Sequence, residues 1–244
     1  SIRTSPWLSR RPRSNVLPLS QRIGNVITTC VPPLPVAQPE DVNLSSARLS
    51  KISQWSDGWT QAGKIPGMLT LVARHGRLAY VHASGFADEQ SGLPMDLQTI
   101  VRVYSMTKPV IAVGIMVLYE RGSFQLDEPI SRHIPAFATP QVMLADGSTR
   151  PAKHEITFSH LLTHTSGISY GDGSDTTVDK YYRRAGLAGE SFKDLGLIEF
   201  VDRLGKMPLG FDPGTSWRYS YGYDVLGRLI EILSGQALEE FLFQ

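Results

Sequence analysis

The sequence predicts a mixed α/β fold of the α+β class, in which helices and antiparallel strands are both present. Three observations favour it: an amphipathic helical pattern near residue 50, two adjacent strand-like runs after it, and a helix-rich remainder from residue 105 onward. The chain has 244 residues, which fits one large domain or two small ones.

The first predicted helix carries apolar residues at helical spacing: Leu49, Ile52, Trp55 and Trp59. Gly63 and the Pro66-Gly67 pair should end it, because both disfavour helix continuation. Residues 68–74 and 78–86 are rich in strand formers, and His75-Gly76 between them can form a tight turn. This segment therefore predicts a β-hairpin.

Helices are expected to dominate after residue 105. A long apolar helix should begin beside that residue and end at Gly122. Further helices are predicted at residues 157–163, 192–204, 224–233 (closed by Gly235) and 237–244.

Residues 1–39 differ from the rest because they contain five arginines, no acidic residue and many serines and prolines. This is the composition of an organellar transit peptide, but a disordered leader or an upstream translated extension is the favoured interpretation. We expect residues 1–43 to be a flexible leader or extension, and residues 44–244 to form the folded domain. The expected location is the cytoplasm, or an organelle if the segment is a transit peptide.

Composition argues against several function classes. Lys and Arg number 24 against 23 Asp and Glu, so the net charge of +1 predicts no nucleic-acid or other polyanionic partner. No stretch reaches the roughly 18–20 apolar residues of a membrane span. Cys30 is the single cysteine, and the six histidines show no metal-ligand spacing. No metal or cofactor is therefore expected.

Ser105-Met106-Thr107-Lys108 opens the long apolar helix, and Pro109 fits only in a first helical turn. Residues three apart share a helix face, so Lys108 can reach the Ser105 hydroxyl. The helix N-terminus favours negative charge on Ser105, and the Ser105 backbone N–H can serve as an oxyanion donor. A helix end stabilises a neutral lysine by only about 0.3–1 kcal/mol, which is too little to keep Lys108 neutral near pH 7. A second activating group is therefore expected.

A second motif lies downstream, where Pro213-Gly214-Thr215 is followed by Tyr219-Ser220. Together with Ser105 and Lys108, this order resembles the serine β-lactamase and penicillin-binding-protein superfamily, and most of all its class C branch and the related family VIII carboxylesterases. Segments 65–67, 126–129 and 156–167 agree with the same resemblance.

The resemblance implies a β-lactamase-like fold, with a helical domain beside an antiparallel sheet flanked by helices and the site between them. Ser105 would be acylated, and Lys108 and Tyr219 would share the general-base work. Tyr104 and Tyr221 are candidate pocket residues. Tyr221 replaces the asparagine of the β-lactamase branch, which favours esters over lactams.

The third motif of that superfamily is absent from this sequence. The second oxyanion donor is therefore expected from outside this chain, in a completing C-terminal segment or a second chain. The sequence leaves the oligomeric state open.

A rival motif, G-x-S-x-G at residues 167–171, would make Ser169 the nucleophile of an α/β-hydrolase with His164 as its base. For His164, a hydrogen-bonded structural role is favoured over that of a base. That motif needs a strand before it, whereas a helical segment is predicted here.

The sequence thus favours an enzyme that hydrolyses small-molecule carboxylic esters. β-Lactamase, D-aminopeptidase and acyltransferase activities remain alternatives. A catalytically inactive ligand-binding relative is the alternative of another class.

Overall fold

The computed structural model of the protein describes residues 34–171, 175–189 and 194–243. These form two compact units, one up to Arg102 and one from Val103 onward. Helices and antiparallel strands are both present, which confirms the predicted fold class. The arginine-rich segment and Cys30 lie outside the described residues.

The first unit begins with helix α1, Ser46–Gln61, as the apolar spacing predicted. Its N-terminus is capped by the Ser45 hydroxyl, which accepts a hydrogen bond from the Arg48 amide at 3.3 Å. Leu49 is buried, whereas Trp55 and Trp59 stay exposed and contact each other with ring centroids 5.5 Å apart.

The predicted hairpin is confirmed as strands β1, Gly67–Arg74, and β2, Arg77–Asp88, which pair antiparallel. His75 and Gly76 both have positive φ, 52° and 69°, the combination that matches a two-residue turn to the twist of its strands. A short strand β3, Leu93–Pro94, pairs with the other edge of β2.

Residues 34–43 differ from the flexible extension that was expected. The Ala37 amide donates to the Leu78 carbonyl at 3.0 Å, and the Leu78 amide donates to the Pro35 carbonyl at 2.8 Å. Ala37 and Val42 are buried in a small cluster with Ala79. Proline lacks an N–H but keeps its carbonyl acceptor, so a proline-rich stretch can still pair with a strand.

The second unit runs through helix α2 (Thr107–Glu120), strands β4 (Gln141–Met143) and β5 (Thr149–Pro151), and helices α3 (Phe158–Leu162), α4 (Thr177–Arg184), α5 (Leu197–Gly205), α6 (Gly222–Ser234) and α7 (Leu238–Phe243). The predicted helices appear at α2, α3, α6 and α7. The hairpin β4–β5 and helix α4 were not predicted. Helix α5 begins at Leu197 and not at Phe192, which lies outside the described residues.

The core of this unit is organised by α6, whose Val225, Leu226, Leu229 and Ile230 are fully buried. Gly114 of α2 faces both α7 and α6, where an added Cβ would lie 3.0 Å from the Leu242 side chain and 3.2 Å from that of Ile230. A glycine at this position lets α2 approach α6 closely. This packing of α2 against α6 positions the turn that contains Ser105 and leads into α2.

Candidate active site

The candidate nucleophile lies in a single 3-10 turn, Tyr104–Met106, that leads directly into α2. Pro109 is the third residue of the helix, which confirms the predicted first-turn position. Tyr104 has a φ of 44°, a left-handed conformation that a non-glycine residue seldom adopts. Such strain is typical of functional turns. Here the turn leaves Ser105 exposed to solvent.

Lys108 and Tyr219 both contact the Ser105 hydroxyl. The Tyr219 hydroxyl donates a hydrogen bond to Ser105 Oγ at 2.6 Å, and Lys108 Nζ donates to the same oxygen at 3.4 Å. Lys108 Nζ also lies 4.5 Å from the centre of the Tyr219 ring. The structure therefore brings together the three residues that the sequence selected, and the tyrosine contact is the shorter one.

Tyr219 is held in place through His164. The amide of Arg218, just before Tyr219, donates to the His164 carbonyl at 2.9 Å. The buried Ser220, just after it, has its Oγ 3.3 Å from His164 Nδ1. The imidazole itself packs on the Tyr219 ring with centroids 4.8 Å apart. His164 has a φ of 58°, so its backbone is strained like that of Tyr104.

The Lys108 charge affects three titratable neighbours: Tyr219, His164 and Asp224. Burial tends to raise the pKa of Tyr219, but hydrogen bonds with Lys108 and Ser105 and the Lys108 charge outweigh it and bring that pKa below its usual value. The pKa of His164 is lowered by burial and by the Lys108 charge, so the imidazole is neutral near pH 7. Burial raises the pKa of Asp224, and Lys108 partly reverses this.

A cleft of about 330 Å³ opens beside Ser105. It is lined by Tyr104, Ser105, Thr107, Lys108, Ile111, Tyr170, Leu197, Tyr223, Asp224, Gly227 and Leu238. Its size falls within the range of small-molecule sites, and its lining combines apolar walls with a few polar groups, as such sites do.

Comparison with known proteins agrees with this geometry. The profile of the family described as Beta-lactamase matches residues 52–244, well over half of the chain. The chain belongs to the beta-lactamase family. This confirms the resemblance drawn from the Ser105 and Tyr219 motifs and the expected β-lactamase-like fold.

Individual members of the beta-lactamase family and fold add detail. Esterase EstB from Burkholderia gladioli is 38% identical over 209 residues, which cover 84% of this chain and 49% of the esterase. Acyltransferase mokF from Monascus pilosus is 30% identical over 213 residues, 83% of this chain and 50% of its own. The solved structure of EstCE1, described as a hydrolase with promiscuous acyltransferase activity, has a TM-score of 0.65 at 33% identity and covers 80% of this chain and 50% of its own. The chain thus spans about half the length of the curated relatives it matches.

The rival nucleophile Ser169 is fully buried. Its hydroxyl donates to the Asp179 carboxylate and accepts from the Gly171 amide at 3.1 Å. His164, its proposed base, contacts Ser220 instead. Helix α3, not a strand, precedes the motif, so its context differs from that of an α/β-hydrolase. Residues 172–174 of the following loop lie outside the described residues.

The two pocket candidates differ in placement. Tyr104 lines the cleft and is 75% exposed. Tyr221 is 2% exposed, stacks on Tyr170 with centroids 4.3 Å apart and meets Phe200 of α5 edge-on at 5.1 Å. The expectation for Tyr221 is therefore corrected: its side chain turns into the core and supports Tyr170, which does line the cleft.

Other site residues were missed or misread from the sequence. Tyr223 and Asp224 follow Tyr219 by four and five positions and enter the cleft from the first turn of α6. The sequence favoured a hydrogen-bonded structural role for His164, and its contact with Ser220 Oγ agrees with this, but its packing on Tyr219 was not predicted. Within the described ranges no group of three His, Cys, Asp or Glu could hold a metal ion, and no helix is long and apolar enough to cross a membrane.

Proposed function

We propose that the protein is a serine hydrolase that cleaves carboxylic esters of small molecules through an acyl-enzyme on Ser105. The observation that carries the proposal is the pair of contacts on Ser105 Oγ, from Tyr219 at 2.6 Å and Lys108 at 3.4 Å. A serine hydroxyl is a weak nucleophile unless an adjacent group takes its proton. Both partners lie at or near the distance that such a transfer requires.

In the proposed reaction, Ser105 Oγ attacks the ester carbonyl while the Lys108–Tyr219 pair accepts its proton. The tetrahedral intermediate collapses, the C–O bond to the alcohol breaks, and the pair returns the proton to the leaving alcohol. Water then attacks the acyl carbon, with its proton accepted by the same pair, and the carboxylic acid and free Ser105 are released.

Tyr219 is the better placed of the two bases. A phenolate would reverse the hydrogen bond now donated to Ser105 Oγ and accept the serine proton over the same short distance. The lowered pKa of Tyr219 and the ammonium 4.5 Å from its ring both favour that phenolate. The Ser105 amide serves as one oxyanion donor.

Acyl transfer to an alcohol is the second candidate function. Acyltransferase mokF and the acyltransferase activity named for EstCE1 favour it, because both proteins share this fold. Hydrolysis and transfer use the same acyl-enzyme and differ only in whether water or an alcohol attacks it. Added alcohol acceptors should divert product from acid to new ester if transfer is significant.

The test is labelling of the full-length protein with a fluorophosphonate, followed by peptide mass mapping, with Ser105→Ala as the control. Label on Ser105 that disappears in the control supports the acyl-enzyme. Label on Ser169 would contradict the assignment, and an unlabelled folded protein would favour a ligand-binding relative.

Side-by-side rates on a p-nitrophenyl ester, a β-lactam and a D-amino-acid amide then separate the esterase from the alternatives. Because Tyr221 stands where the β-lactamase branch has an asparagine, we expect the protein to hydrolyse the ester faster than the β-lactam.

A further inference from the structure

Asp224 is the one carboxylate among the described residues that line the Ser105 cleft. It lies in the first turn of α6 and is partly buried. In the described part of the chain, it forms no hydrogen bond or ion pair with another side chain. A partly buried acid without such a partner is costly, and it therefore calls for an explanation.

The charged and titratable groups around Asp224 come from several segments. Lys108 lines the cleft from α2 and Tyr223 lines it from α6 itself, and two further tyrosines, Tyr104 and Tyr170, also line it. Tyr219 contacts Ser105 and Lys108, and His164 packs on the rings of Tyr219 and Tyr223. The neighbouring helices α5 and α7 contribute only the apolar Leu197 and Leu238. Among these groups, Lys108 carries the only amine.

Direct electrostatic effects link Asp224 to both candidate bases. Burial raises the pKa of Asp224 and the Lys108 charge opposes that rise, while the Asp224 charge acts to raise the pKa of Tyr219. Walls of low polarity reduce the screening of such interactions.

We propose that Asp224 is a positioning residue that sets the charge state of the Lys108–Tyr219 pair and hence the pH at which Ser105 becomes reactive. This inference rests on the proposed function. To accept the serine proton, the pair must first lose one proton, either from the Lys108 ammonium or from the Tyr219 phenol. A nearby carboxylate opposes both losses, because it stabilises the ammonium and repels the phenolate. The sign of its effect is therefore the same whichever residue acts as base.

The test measures the rate of fluorophosphonate labelling of Ser105 against pH in the full-length protein and in Asp224→Asn. The variant should move the acid limb of the profile to lower pH by about 0.5–1.5 units, the size of one nearby charge at intermediate polarity. Asp224→Glu keeps the charge and should keep the limb close to that of the parent protein. Glu199→Gln is the matched control, since Glu199 is also an acid in a first helical turn but lies outside the cleft.

Three outcomes would overturn the inference. The acid limb could stay in place in a folded Asp224→Asn protein. Both Asp224 variants could shift equally, which would indicate shape and not charge. Asp224→Asn could instead slow only the hydrolysis of esters that carry a cationic group, which would make Asp224 a substrate contact.

If Ser105 is not labelled in the parent protein, both the proposed function and this inference are wrong. If Ser105 is labelled with an unmoved limb, only the inference fails.

Discussion

Replacing Tyr219 with phenylalanine tests the proposed chemistry most directly. The change deletes the hydroxyl that lies 2.6 Å from Ser105 Oγ but keeps the ring. That ring packs on His164 and Tyr170, with centroids 4.8 and 5.5 Å away, so the fold around it should persist. The variant therefore isolates the phenol oxygen.

The size of the loss separates two roles for this oxygen. A hydrogen bond that only orients Ser105 is worth about 0.5–1.5 kcal/mol, or roughly a 2- to 13-fold loss in rate. A group that accepts the proton in the transition state contributes about 10²–10⁴-fold, or roughly 3–5 kcal/mol. We expect the larger loss, measured as kcat/KM on a p-nitrophenyl ester and as the rate of Ser105 labelling.

Tyr223→Phe is the matched control, because it removes the phenol of another tyrosine that packs on His164. The Tyr223 hydroxyl donates to the Leu162 carbonyl at 3.0 Å and not to Ser105. Its loss should change the rate only a few-fold. A Tyr219→Phe protein with near-parental rates, or a control that loses as much activity, would refute the assignment of Tyr219 as a base.

Three further predictions concern the scaffold. Ser169→Ala should still be labelled on Ser105, but its free energy of unfolding in urea should fall by about 1–3 kcal/mol, because a buried hydrogen bond to a carboxylate is removed. Loss of Ser105 labelling in a folded variant would contradict this. Gly167→Ala should lower the melting temperature more than Gly186→Ala: both have positive φ, but only the first would place a Cβ 2.4 Å from a carbonyl oxygen. Two hydrogen bonds from Arg150, at 2.9 and 2.7 Å, lower the pKa of Asp212. The stability advantage over Asp212→Asn should therefore be complete at pH 7 and shrink as pH falls below about 4, and urea titrations at several pH values would reveal a pH-independent difference if this is wrong.

Local patterns were enough to predict the elements that place the nucleophile. The apolar spacing of α2 and the first-turn requirement of Pro109 put Ser105 at a helix start, where the structure has it. Gly235 closes α6 with a φ of 71°, as its position after the last apolar residue predicted. These features depend on neighbours within a few residues, so the sequence carries them directly.

Other features depend on contacts that a linear pattern does not contain. Strands β4 and β5 have three residues each, too few to show alternation, and they exist because they pair with each other. Tyr221 was assigned to the pocket because it lies two residues from Tyr219. Its side chain instead follows the turn into α6 toward Phe200, a contact set by how α5 packs.

Asp224 shows the same limit within the site. An acid in a first helical turn is ordinary in sequence, because it favours the positive end of the helix. Its position beside Lys108 emerges only when α2 and α6 pack together. The sequence could therefore identify the reactive Ser105 and its two partners, Lys108 and Tyr219, but not the residues that surround them.

The hydrogen bond between Tyr219 and Ser105 joins residues 114 positions apart. Ser105 and Lys108 can meet as soon as one helical turn forms, on a timescale well below a millisecond. Tyr219 arrives only when a long loop closes and α6 docks, a slower event because distant contacts carry a larger entropy cost. In a refolding experiment, the helical circular dichroism signal should therefore return before Ser105 becomes reactive. The rate at which Ser105 labelling recovers would then report the last stage of folding.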